Sequence, residues 1–456
     1  MTFYKNLLLL LPEVKNPIKK QSLKQKLIWT GIVLLLYLFL ASVPLFGITS
    51  KSAEYFKTLE LLMGAKIGKL LTLGIGPIVT SSIVLQLLKG AGILKFDMTS
   101  EDGKFIYSGT HKLLTFLFII LESIVYVKFG AVTAQPGLFF IVSLQLALGA
   151  FIVFYLDEVV KKWGFGSGVS LFIAAGIAQA VFIQVFSPFT TDGIMSISNV
   201  ENPPVGKFFQ LFLYLSSGNM DLLLSSVIGP IAITLLLFFV IVFFQSVNVE
   251  IPLSFGRIRG QSTKWPLNFF YSGVIPVILI SALSANFRFW AFAWESFKNL
   301  PQGSSGFSNF ISYIRPLSGS IWTNLGNFFT MNIWPHYLSY SLFMVVGSTL
   351  FAYFWVQTSG MDSKSQAKQI INSGLQIPGF RSDIRIIEKV LDRYIIPLTL
   401  MGGVGIGIMA STADMLGALS SGTGILLLIM IIYQFYQQIA RESMEDFTLL
   451  KKLMKK

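Results

Sequence analysis

Apolar residues in this chain fall in long, closely repeated runs. A helix needs about 20 mostly apolar residues to cross a hydrocarbon core about 30 Å thick. Runs suited to this occupy 27–46, 113–127, 138–156, 169–186, 222–244, 267–287, 338–356, 395–410 and 424–440. A tenth, 74–88, is shorter and opens on Gly74-Ile75-Gly76-Pro77. The pattern predicts an all-α polytopic membrane protein of ten spans, with both termini on one side. Leu7 to Leu11 is only a five-residue run closed by Pro12, which suits a short interfacial helix rather than a signal peptide. The polar stretch 188–221, with Pro203-Pro204, is an external linker separating spans 1–5 (residues 1–187) from spans 6–10 (residues 222–456). Five is odd, so the two halves cross the membrane in opposite senses, the geometry of inverted repeats around a cavity. The sequence echo between them is poor. Ile-Gly-Pro-Ile recurs at 75–78 and 228–231, but in spans that do not correspond.

Composition agrees with this reading. The chain is 53% hydrophobic and 12% charged, with mean hydropathy +0.68, whereas a soluble domain carries about 25% charged residues. A soluble globular protein, a disordered chain and a nucleic-acid-binding domain are thereby excluded. The net charge of +13 is mostly a topology signal: with the N-terminus in the cytoplasm, 26 of the 35 Lys and Arg fall on the cytoplasmic side. There is no cysteine, and His111 and His336 are the only histidines, so thiolate chemistry and a histidine metal cluster are excluded and no cofactor is expected. An intramembrane aspartyl protease needs two facing membrane carboxylates. Asp157 falls at a span end beside Glu158, Lys161 and Lys162, and Asp414 falls outside the spans.

Residues 54–70 keep apolar positions at helical spacing but include Lys57, Glu60, Lys66 and Lys69. A lipid-exposed span would bury those charges at roughly 2.5–3.5 kcal/mol each. A half-helix dipping into a wet vestibule, or an amphipathic helix on the outer surface, would keep them solvated. The Gly-Ile-Gly-Pro break that follows implies a vestibule, because non-helical backbone at membrane depth needs protein or water around it.

Gly74-Ile75-Gly76-Pro77-Ile78-Val79-Thr80-Ser81-Ser82-Ile83-Val84-Leu85-Gln86-Leu87-Leu88 resembles the second-span signature of the SecY family, the pore subunits of protein-conducting channels. Four further stretches match in order: Tyr155 to Gly168, Glu250-Ile251-Pro252-Leu253, Gly256-Arg257-Ile258-Arg259-Gly260 and Gly422-Thr423-Gly424. The likeness covers the whole chain. Gly-Ile-Gly-Pro and Phe172-Ile173-Ala174-Ala175-Gly176 are closest to the archaeal and eukaryotic branch, while Lys161 and Lys69 stand where the family usually has small residues.

The resemblance implies an hourglass pore between the halves. Its apolar constriction falls on Ile75, Val79, Val169, Ile173, Ile278 and Leu427, with a plug beneath it at about 54–70 that includes Phe56, Leu59, Leu62, Met63 and Ile67. Two of the helices give an i, i+4 pair each, which stacks on one face. A narrow apolar ring offers ions no ligand and dewets. The resemblance also implies a lateral gate between spans 2 and 3 on one side and 7 and 8 on the other, with Thr80, Glu122 and Asn286 as its polar cluster. A mid-span carboxyl such as Glu122 should have a partner.

Basic residues of the cytoplasmic loops 246–266 and 358–394 suit ribosomal RNA phosphates. Arg257, Arg259, Lys264 and Arg381 are the ribosome-docking candidates. The other implied partners are a SecE-like subunit, a small third subunit of SecG or beta type, signal peptides, nascent polypeptides and membrane lipid. The expected location is the cell membrane, or the endoplasmic reticulum if the source is eukaryotic. A secondary transporter with inverted repeats is the alternative; it would need midplane polar sites, which only Glu122, Thr80 and Asn286 approach.

Overall fold

The structure, a computed structural model, describes residues 6–453 except 7, 10, 20, 50–67, 95, 99, 191–193, 196–198, 256–261, 299, 302, 317–332 and 377–382, with backbone only at 255, 262, 263, 333, 376 and 444–453. The first half holds α1 (Leu23–Ser42), α2 (Gly76–Gly90), α3 (Glu101–Lys128), α4 (Phe139–Trp163) and α5 (Gly168–Phe186). A short helix, α6 (Lys207–Ser217), lies in the linker. The second half holds α7 (Met220–Ser246), strands β1 (Asn248–Phe255) and β2 (Ser262–Asn268), α8 (Ile275–Phe297), α9 (Gly306–Ser312), α10 (Ile333–Thr358), α11 (Ser363–Asn372), β3 (Leu375–Gln376), α12 (Ile384–Leu416) and α13 (Gly422–Leu453). Among the described residues, nine helices are long and apolar enough to cross a membrane. The tenth expected span is α2, at 15 residues.

Local chemistry sets several helix starts. Ser22 and Gln25 form a reciprocal capping box on α1. Ser100 accepts the Gly103 N–H and starts α3 twelve residues before the apolar run, so the predicted 113–127 becomes Glu101–Lys128. The predicted span 267–287 is displaced to Ile275–Phe297. Its first residues belong to the end of β2 and to turns, and Pro276 opens the helix. Its last turns contain Glu295, which a loop satisfies: the carboxylate accepts from the Gly303 N–H at 2.8 Å and the Ser305 N–H at 3.0 Å. α7 begins with a π-helical turn, Leu223–Ile228, whose buried Leu223 and Val227 pack on Leu213 and Tyr214 of α6.

Small residues bring helices close, as membrane packing favours. A Cβ on Gly407 would lie 2.6 Å from Val345 Cα, and one on Gly403 2.7 Å from Thr349 Cα, so α12 rests on the backbone of α10. The Ser348 hydroxyl donates to the Gly403 carbonyl at 2.7 Å across this contact.

The loops predicted at 246–266 and 358–394 form one body. β1 pairs antiparallel with β2 (Ile251 opposite Trp265) and with β3 (Phe255 opposite Leu375), giving the order β2-β1-β3. Ile251, Leu253 and Leu267 pack with Ile370, Ile387 and Leu391 of α11 and α12 in a second apolar core. The Tyr271 hydroxyl donates to the Met361 carbonyl at 2.7 Å, and burial pushes this phenol well above its ordinary range.

The N-terminal segment straps α3 to α4. Lys112 pairs with Glu158 at 2.6 Å and donates to the Pro12 carbonyl at 2.9 Å. Trp163 Nε1 donates to the Lys15 carbonyl at 2.9 Å. Lys162 hydrogen-bonds Glu13, which holds that carboxyl below its usual range.

Candidate functional site

The stretch leading into α2 is a run of turns, with Gly68 at φ 80° and Gly74 at φ 50° supplying the left-handed positions. Residues 71–79 are all buried. Protein, rather than the vestibule expected from the sequence, therefore surrounds this break: a Cβ on Gly149 of α4 would meet the Leu70 carbonyl oxygen at 2.1 Å. Consecutive turns satisfy the backbone, with Gly74 N–H on Leu71 O at 3.0 Å and Gly76 N–H on Leu73 O at 2.9 Å.

Ile75 caps α2 and Val79 lies one turn in. Val169 and Ile173 occupy the first turns of α5, Ile278 the first turn of α8, and Leu427 the second turn of α13. Ile75, Val79, Ile173, Ile278 and Leu427 are buried in one apolar cluster, and half-buried Val169 packs against it. The helices that carry these residues are among those through which the halves meet. α2 packs on α8 and α10, and α5 packs on α13.

Two family stretches acquire physical roles here. Asp157, buried on α4, accepts the Val169 N–H at 2.9 Å and pairs with Lys161 at 2.6 Å. A Cβ on Gly168 would lie 2.6 Å from Asp157 Cα, so glycine alone lets the start of α5 approach. At the other end of the chain, Asp414 accepts the Thr423 N–H at 2.8 Å, the Thr423 hydroxyl, and the Tyr340 hydroxyl at 2.6 Å. Asp414 lies past the apolar run 395–410, in the last turn of α12, next to Gly422, which abuts Ala413.

Between the halves runs a seam. Asn286 Nδ2 on α8 donates to Thr80 Oγ1 on α2 at 3.2 Å. The Thr80 hydroxyl itself donates to the Gly76 carbonyl at 3.0 Å, and Glu122 on α3 lies on the same side, near enough for Thr80 to be its polar neighbour. The three expected polar residues are thus brought together, each half-buried. Sequence reading missed the stacked rings of Tyr126 on α3 and Phe289 on α8, 4.3 Å apart and 21° from parallel. It also missed His111, whose Nε2 is 2.7 Å from Ser82 Oγ and 3.2 Å from Ser81 Oγ, tying α3 to α2. No local signal marks either set, because each pairs residues on different helices.

Phe56, Leu59, Leu62, Met63, Ile67, Arg257, Arg259 and Arg381 lie outside the described residues. Lys264 is exposed on β2 and paired with Glu250 of the adjacent strand. Among the described residues, no group of three or more His, Asp or Glu is placed to hold a metal ion.

Comparison with known proteins gives a consistent result. The SecY family profile matches residues 69–436. The protein translocase subunit SecY of Methanococcus vannielii is 37% identical over 447 residues, covering 97% of each chain. That of Pyrococcus furiosus is 36% identical over 466 residues, covering 97% of this chain and 96% of its own. A solved protein-conducting channel superposes with TM-score 0.81 at 35% identity over 96% of each chain. Sec61 in the canine ribosome–channel complex from the endoplasmic reticulum superposes with TM-score 0.78, also at 35% identity over 96% of each chain.

Proposed function

The chain belongs to the SecY family, and on that premise we propose that it conducts unfolded secretory polypeptides across a membrane and releases apolar segments sideways into lipid. It is a multi-pass membrane protein with the ten-helix channel fold. The observation that carries the reading is the placement of the six apolar residues. They sit on α2, α5, α8 and α13, which pack across the boundary between the halves, and share one apolar cluster.

Ile75, Val79, Val169, Ile173, Ile278 and Leu427 form the ring of an hourglass pore. Their side chains give ions no ligand and deform around a passing chain. The segment at about 54–70 plugs the ring from outside. The seam of Thr80, Glu122 and Asn286 is the lateral gate. A signal segment that binds the parted seam better than the closed one shifts the balance toward opening. A segment of about 20 apolar residues then leaves into lipid, because burial of its apolar surface favours that exit.

Both termini face the cytoplasm, following the bias of the basic residues. The chain supplies a conduit, and the driving force comes from a partner. The canine relative is seen in a ribosome–channel complex, and Arg257, Arg259, Lys264 and Arg381 are the docking residues on this chain. A SecE-like subunit and a small third subunit complete the channel.

Deletion of 56–66 tests the reading in a planar bilayer. A plugged conduit becomes leaky and shows single-channel current. Bilayers that stay silent, with a coupled small-solute flux that the deletion abolishes, would point to a transporter instead.

A further inference from the structure

The seam has a second set of contacts, at the opposite end from Tyr126 and Phe289. Gly90 is the last residue of α2. A Cβ there would lie 2.5 Å from Phe354 Cε1 and 2.8 Å from Cδ1 and Cζ of the same ring. The turn after α2 is made by Gly92 at φ 73°, and Gly90 is not in the left-handed region. Its lack of a side chain therefore serves the close approach of α2 to the ring on α10. Beside it, Lys89 Nζ donates to the Gln357 carbonyl at 2.9 Å. That carbonyl belongs to the last turn of α10, whose oxygens have no partner within the helix. Lys89 Nζ also lies 5.7 Å from the centroid of the Tyr107 ring, and the Tyr107 hydroxyl lies close to Thr358. Phe96 meets the Tyr107 ring edge-on at 5.4 Å. Lys89, Gly90 and Tyr107 of one half thus grip Phe354, Gln357 and Thr358 of the other.

We propose that this grip is a latch that sets how apolar a segment must be to part the seam, with the Gly90–Phe354 contact as its specificity-determining element. The proposal rests on the reading of the seam as the lateral gate. An arriving segment opens the seam only by as much as its preference for the parted form exceeds the contacts that must break. One face of the exposed Gly90 backbone rests against the half-buried Phe354 ring, and that dispersion contact is lost within the first ångström of separation. The Lys89 bond, which is exposed, adds a charge-assisted contact that exchanges to water when the seam parts. The latch lies at the end of the seam that the basic residues assign to the cytoplasm, where a segment arrives first.

The test uses the full channel with its small subunits in proteoliposomes and two precursors. One carries an intact signal and the other a signal with a shortened apolar core. The readout is the ratio of their translocation. Gly90→Val wedges the ring by overpacking the contact, and the shortened-signal ratio should rise roughly tenfold. Phe354→Ala in the same chain makes room for the valine and should restore discrimination. Gly90→Ala is the smaller wedge, should Gly90→Val fail to assemble. An unchanged ratio in the wedge variants, or a double variant as permissive as Gly90→Val alone, overturns the latch. Because the chain has no cysteine, Thr80→Cys with Asn286→Cys can be joined by a short bismaleimide to test the gate separately. Blocked insertion of both precursors supports the gate. Insertion of both despite the cross-link removes the gate, and the latch with it.

Discussion

Asp157 carries more of this fold than its position in the sequence suggests. Its carboxylate holds the first free N–H of α5, neutralises Lys161 and fills the space that Gly168 leaves. Val169, one of the proposed ring residues, hangs directly on that bond. Asp157→Ala should lower stability by about 1–3 kcal/mol, the cost of leaving the buried donor unmet. Asp157→Asn keeps an acceptor and should retain most of it. Thermal unfolding of the purified complex checks both; equal losses would mean that the hydrogen bond is not what matters. Both residues are visible within the Tyr155–Gly168 motif, yet their pairing is not. It depends on a tight turn in which Phe165 N–H reaches Thr30 of another helix. The approach of Glu122 to Thr80 is equally hidden, although the need for a polar neighbour is legible from the cost of a carboxyl in mid-span.

At the scale of elements, the spans were legible because lipid demands long apolar helices. Their ends were less so. Hydropathy ends the seventh span at Arg288, whereas α8 continues to Phe297 because Ser305 and Gly303 satisfy Glu295. Hydropathy starts that span too early because Phe269, Phe270 and Tyr271 are apolar without being helical. The break before α2 was legible from its glycines, but what surrounds it was not: that depends on Gly149, a residue on another helix. Gly149→Ala would press a methyl group against the Leu70 carbonyl, a backbone atom that cannot move cheaply. We expect a loss of about 1–3 kcal/mol and displacement of the turn that carries Ile75. The displacement should appear as basal ion current in planar bilayers. A silent, fully stable variant would show that the turn is not seated on α4.

For the whole molecule, the two halves and their basic face follow from counting spans and charges. The shared cluster of the six proposed ring residues does not, because an isolated Ile or Val in a membrane helix carries no mark of its neighbours across the bundle. Their assignment came from family likeness. Docking follows charge: β1, β2, β3 and the start of α12 tie the two basic loops into one body. Arg257→Glu with Arg381→Glu should weaken ribosome binding at least tenfold, with a salt dependence shallower by about two phosphate contacts. Co-sedimentation across a salt series measures this, and unchanged binding removes the docking assignment.

The most direct measurement is disulfide trapping of a stalled polypeptide. This chain contains no cysteine, so single cysteines can be placed at Ile75, Val79, Val169, Ile173, Ile278 or Leu427, with Leu235, exposed on the outside of the bundle, as the control. A precursor halted midway with one cysteine in its threaded region should form adducts at the six positions and none at Leu235→Cys. Adducts absent from the six, or as frequent at the control, would contradict a path through the apolar ring.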